Sequence, residues 1–110
     1  MKKVQKMKFQ FGAFKRQIDL SDVDFVLRYE QAIEDYEKGI KGLNRDVVPS
    51  AQLEQVCQLF FSMFDKLFGD GSAKEMFGET KSVALCTKAF SQLLRSMNQY
   101  AGALNQEEKI

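Results

Sequence analysis

The sequence predicts a mainly α domain: a small helical bundle of three long helices and one short helix, with a short N-terminal β-hairpin. Three observations predict it. Over the first 20 residues apolar and polar side chains alternate on either side of one glycine, the period of half-buried strands. From residue 22 onward apolar side chains recur instead at steps of three and four, the period of a helix face. The run Leu53–Phe68 is apolar on more than one face, which a helix laying a single stripe on a core does not need.

In the hairpin, Met7, Phe9 and Phe11 share one face while Lys6, Lys8 and Gln10 take the other, and Phe14, Arg16, Ile18 and Leu20 share a face of the second stretch. Gly12-Ala13 lies between them, and glycine at the first central position suits a type II′ turn. Strands are therefore expected over about 4–11 and 14–20. A two-stranded hairpin is marginal alone, so it must pack on the helices or join a neighbour's sheet.

Ser21-Asp22-Val23-Asp24 resembles a capping box opening a helix of about residues 22–42. Val26, Tyr29, Ile33, Tyr36, Ile40 and Leu43 form its seam, and Glu34 and Lys38 make an i,i+4 pair on the wet side. Pro49 or Ser50 opens the second helix. There Leu53, Val56, Phe60, Met63 and Leu67 form one seam, Cys57, Phe61, Phe64 and Phe68 a second, and Leu59 points elsewhere. Gly69-Asp70-Gly71 stops it. Ser72-Ala73-Lys74-Glu75 is a full capping box for a short helix carrying Met76 and Phe77, ended by Gly78. Thr80 is expected to cap a last helix over about 81–104, with Val83, Cys86, Phe90, Leu93, Met97, Tyr100 and Leu104 on its seam. The chain of 110 residues is expected to be one domain, residues 1–20 the basic hairpin, 21–104 the bundle and 105–110 a flexible tail.

The near-zero net charge hides two opposed blocks. Residues 1–18 carry Lys2, Lys3, Lys6, Lys8, Lys15 and Arg16 with no acid; residues 19–37 carry Asp19, Asp22, Asp24, Glu30, Glu34, Asp35 and Glu37 against Arg28 alone. Such blocks favour contact with each other, within the chain or between copies. No apolar run approaches the roughly 18–20 residues that span a bilayer, and the N-terminus lacks the pattern of a secretory signal, so a cytoplasmic location is expected.

The chain has no histidine, no C-x-x-C and no H-E-x-x-H, so the familiar transition-metal sites are missing and no cofactor is expected. Gly69-Asp70-Gly71-Ser72 lacks the ligand alternation of a calcium loop. It also follows a helix rather than a strand, unlike a dinucleotide-binding turn. Cys57 and Cys86 lie on or beside apolar seams and are read as reduced core residues, with no histidine to activate either. No pair of acids has the convergent geometry of general acid–base work. The sequence reads as a packing and binding protein, not an enzyme.

The segment Phe64-Asp65-Lys66-Leu67-Phe68-Gly69-Asp70-Gly71 through Met76-Phe77-Gly78 follows Ile18-Asp19-Leu20-Ser21-Asp22-Val23-Asp24-Phe25 and an acidic helix with Tyr29 and Tyr36. Over about residues 9–100 the chain resembles small helical proteins of the tail modules of long-tailed phages and prophages of Gram-positive bacteria, some of which resemble tail assembly chaperones. That resemblance implies binding the helical tape-measure protein and gathering tail tube subunits. It offers no catalytic motif.

A chaperone of helices needs an apolar groove read by helical periodicity. Met and Phe suit one, and Phe61, Met63, Phe64, Phe68, Met76 and Phe77 are the expected partner-binding residues. Lys6, Lys8, Phe9 and Phe11 on the hairpin and Glu30 and Glu34 on the first helix are expected to join copies into a homo-oligomer. Two other readings stand beside this one. The basic hairpin with Phe9, Phe11 and Phe14 could bind nucleic acid, for which a pI near 7.7 is low. A structural tail-completion subunit is the third.

Overall fold

A computed structural model describes residues 7–108, and the side chains of 7–98. Strands β1 (Met7–Phe11) and β2 (Phe14–Ile18) precede helices α1 (Val23–Lys41), α2 (Pro49–Phe68), α3 (Ser72–Phe77) and α4 (Val83–Glu108). The mainly helical fold with an N-terminal hairpin is the predicted one. Residues 4–6, Lys6 among them, and the side chains of Tyr100 and Leu104 lie outside the described residues.

The hairpin is antiparallel with Phe11 opposite Phe14, Phe9 opposite Arg16 and Met7 opposite Ile18. Gly12 has φ +61° and Ala13 no positive φ, which is the II′ pattern at a two-residue loop. This register puts Met7, Phe9, Phe11, Phe14, Arg16 and Ile18 on one face and Lys8, Gln10, Lys15 and Gln17 on the other. The first face packs inward, with Phe9, Phe14 and Ile18 buried.

Helix starts lie within two residues of the sequence expectation, but their caps differ. Asp22, not Ser21, caps α1, accepting from the Asp24 amide at 3.0 Å, while Ser21 Oγ donates to Asp19. Ser72 does not cap α3: it lies buried inside the helix, Gly71 is the N-cap residue at φ +91°, and Asp65 of α2 accepts from the Ala73 amide at 2.8 Å. A carboxylate already fixed on one helix thus holds the start of the next. Ser82, not Thr80, accepts from the Leu85 amide at the start of α4. That helix runs to Glu108, past the expected end at 104 and through most of the stretch expected as a flexible tail.

α1 and α2 are antiparallel neighbours joined by a short loop that Gln55 holds, donating to Asn44 O and accepting from Asn44 N, both at 3.1 Å. α4 runs in the same sense as α2, since Glu54–Lys81 and Phe60–Phe90 pair in ascending order. The hairpin lies on α4 through β1, and α3 packs back on α2. α2 is therefore central, touched by α1, α3 and α4.

The buried seam of α1 is turned by one residue from the predicted one. Phe25 and Ala32 are buried, whereas Val26 and Ile33 are only partly so. The cause is close approach: a Cβ placed on Gly39 would stand 2.3 Å from Leu59 Cδ2. Small residues at 32 and 39 admit α2, and the larger apolar side chains move to the flanks.

Candidate functional site

Phe68, near the end of α2, faces the hairpin. Phe9 stacks on Phe68 with ring centroids 5.5 Å apart, and Phe14 meets Phe68 edge-on at 5.6 Å. Phe25 completes this group at 6.5 Å from Phe68. A second group surrounds Phe77, with Phe11 and Phe61 each at 5.5 Å and Phe64 at 5.8 Å. The second seam of α2, which had no partner in the helical pattern, is thus covered by the inward face of the hairpin and by α3. Arg16 on that face lies 4.3 Å over the Phe14 ring and reaches Glu75 of α3, closing the cover at its edge.

This placement corrects the expected open surface. Met63, Phe64 and Phe77 are buried in the core, and Phe61, Phe68 and Met76 are half-buried against it. All ten phenylalanines are buried or half-buried. A charge at Phe64 would act on folding before it acted on any partner. The expected oligomerisation residues divide likewise: Phe9 and Phe11 belong to the core face, whereas Lys8, Glu30 and Glu34 are exposed. With Phe9, Phe11 and Phe14 turned inward, the basic outer face of the hairpin offers no ring on which a base could stack.

Phe61 lines a cavity of about 310 Å³ against α3, with Asp65, Lys74 and Glu79, and a longer concave surface lies between α1 and α2. One cavity of about 230 Å³ is lined by Ala32, Asp35, Tyr36, Leu59, Ser62, Met63 and Lys66. A second, of about 430 Å³, continues past Leu59 along Gly39, Gly42, Leu43, Ala51, Glu54, Gln55 and Gln58. Leu59 separates and lines both. Of the sequence-predicted partner residues only Met63 reaches this groove. Of its other members Tyr36 and Leu43 lie on the predicted seam of the first helix, and the rest were missed because none belongs to a long apolar seam. The available signal was the pairing of a leucine without a seam with glycine and alanine seven residues apart.

The groove has an apolar floor and a polar rim. At one end Lys66 pairs with Asp35, which also accepts from Gln31 Nε2 at 2.9 Å. The hydrogen bond from Lys66, then that from Gln31, holds the Asp35 carboxyl below its ordinary range. Further along, Glu54 accepts from Lys81 Nζ at 2.7 Å and ties α4 to the rim. Behind α2, Cys57 and Cys86 are fully buried free thiols in contact with one another. Burial, and then the neighbouring Cys57, push the Cys86 thiol up to about 12, so it stays protonated and inert at neutral pH. Among the described residues no group of His, Cys, Asp and Glu could hold a metal ion, and no helix is long and apolar enough to cross a membrane.

Residues 12–109 match the model of a family described as Family of unknown function (DUF6673), and the chain belongs to that family. No curated protein and no solved structure matches it.

Proposed function

We propose that this member of the DUF6673 family is a non-enzymatic phage tail assembly chaperone, which holds helical segments of a tape-measure protein and self-associates in the host bacterial cytoplasm. The observation that carries the reading is the groove between α1 and α2. Two antiparallel helices leave a lengthwise furrow with Leu59, Ala32 and Met63 on its floor and Lys66, Asp35 and Gln58 along its rim. An amphipathic helix laid there would complete a three-helix layer, and its specificity would come from apolar periodicity. The resemblance of residues 9–100 to tail-module proteins supplies the identity of the helix. Gathering of tail tube subunits follows from the same resemblance.

Ser62 and Gln58 are exposed and line the groove, so they can be enlarged without entering the core. Ser62→Arg with Gln58→Arg should abolish co-purification with a co-expressed tape-measure segment while leaving the circular dichroism spectrum unchanged. Undiminished capture by that double variant would refute the groove reading. A chaperone should also be absent from finished virions, and its presence there at stoichiometric level would favour a structural subunit.

A further inference from the structure

We infer that copies of this chain join head to tail, the outer face of the hairpin of one docking on the outward stripe of α1 of the next. The inference deepens the self-association in the function proposed above. It rests on two unpartnered surfaces of opposite charge.

The first is a helix face. Val23, Leu27, Glu30, Glu34 and Glu37 recur at steps of 4, 3, 4 and 3 and are all exposed. They form the stripe of α1 opposite the one packed on α2. Val23 and Leu27 stand 68% and 57% exposed, among the most open large apolar side chains of the described residues. Glu30, Glu34 and Glu37 are like charges at i,i+4 and i,i+3 spacing, an arrangement that disfavours the isolated helix. Lys38 offsets Glu34 at 3.3 Å, but among the described residues Glu30 and Glu37 have no ion-pair partner.

The second surface is the outer face of the sheet, where Lys8, Gln10, Lys15 and Gln17 are all exposed. No acid lies on this face, and among the described residues neither lysine has an ion-pair partner. Among the described residues Lys8 and Lys15 are thus not neutralised by Glu30, Glu34 or Glu37 of the same copy. Their spacings also agree. Lys8 faces Gln17 and Lys15 faces Gln10, so the two lysines sit on a diagonal, roughly 7–8 Å apart. Glu30 and Glu34 are about 6 Å apart along the helix axis. The flat polar sheet face can lie along the stripe with each lysine opposite a glutamate, their aliphatic stems over Val23 and Leu27. Because the two surfaces differ and each copy has both, the contact is heterologous and propagates to a ring or a filament.

The test is a charge swap in the full chain, read by sedimentation velocity. At low ionic strength the wild type should sediment as a multiple of the single-chain mass. It should fall to one chain at about 1 M salt, where the Debye length is about 3 Å. Lys8→Glu/Lys15→Glu should be a single chain at low salt, and so should Glu30→Lys/Glu34→Lys. An equimolar mixture of the two variants should restore association, because the new acids on the hairpin of the first variant face unaltered glutamates in its own kind but meet the new lysines on α1 of the second, while the unaltered hairpin of the second meets the unaltered α1 of the first. A wild type that is a single chain at low salt, variants that stay assembled, or a mixture that stays dissociated would each overturn the inference. All these substitutions lie outside the α1–α2 groove, so capture of a tape-measure segment by the dissociated variants separates failure of this contact from failure of the chaperone reading.

Discussion

Cys86 is held away from water and, by its raised pKa, away from its own thiolate. A thiol whose folded value lies above the unfolded one stabilises the fold fully below the ordinary value of 9.0, and that contribution is lost as pH rises towards about 12. The stability difference between wild type and Cys86→Ala, from urea midpoints, should therefore shrink across that interval; a constant difference would show that the thiol is not shielded. Iodoacetamide at about pH 8 should leave both cysteines unmodified in the folded chain and modify both in denaturant. The reading of both cysteines as core residues was available from the seams they occupy. Their mutual contact was not, because residues 57 and 86 meet only through the alignment of α2 with α4.

At the scale of elements, the pairing of α1 with α2 turns on Gly39 and Leu59. Alanine in a helix interior is favoured over glycine by about 1 kcal/mol. In the wild type that gain is offset, since the new Cβ would meet Leu59 Cδ2 at 2.3 Å and the leucine tip must turn away. Gly39→Ala should therefore be close to neutral alone yet stabilise a Leu59→Ala background by about 1 kcal/mol, a coupling that a double-mutant cycle measures. Additive effects would mean that the two helices do not lock there. In the sequence Gly39 is a glycine near the end of the first helix and Leu59 a residue without a seam. Each assignment is sound locally; the two are one feature only once the helices are antiparallel and in register. The caps show the same limit. Ser72 has the local chemistry of a cap, but a buried hydroxyl and the reach of Asp65 across the α2–α3 turn give the task to another residue.

For the whole molecule, the hairpin decides whether α2 has apolar surface to spare. It covers Phe61, Phe64 and Phe68 together with α3, so the surplus that suggested an intermolecular groove is absorbed within the chain. Removing residues 1–18 should uncover both aromatic groups, raise hydrophobic-dye fluorescence and cause salt-resistant aggregation. A truncated chain that unfolds cooperatively at the wild-type temperature would show the hairpin to be an appendage. Covering the phenylalanines shifts the binding question to the α1–α2 groove and to the outward stripe of α1, whose apolar and acidic residues have no cover in one copy.

The sequence by itself determined the number and order of the elements, the turn at Gly12-Ala13, the stop at Gly69 and the charge blocks, because periodicity, turn geometry and charge are properties of neighbouring residues. Tertiary structure alone decided which of several apolar faces of α2 met the hairpin, where small residues let α1 approach, and which charges were left facing outward. Those outcomes depend on contacts between residues far apart in the chain, and several apolar faces of similar strength competed for the same cover.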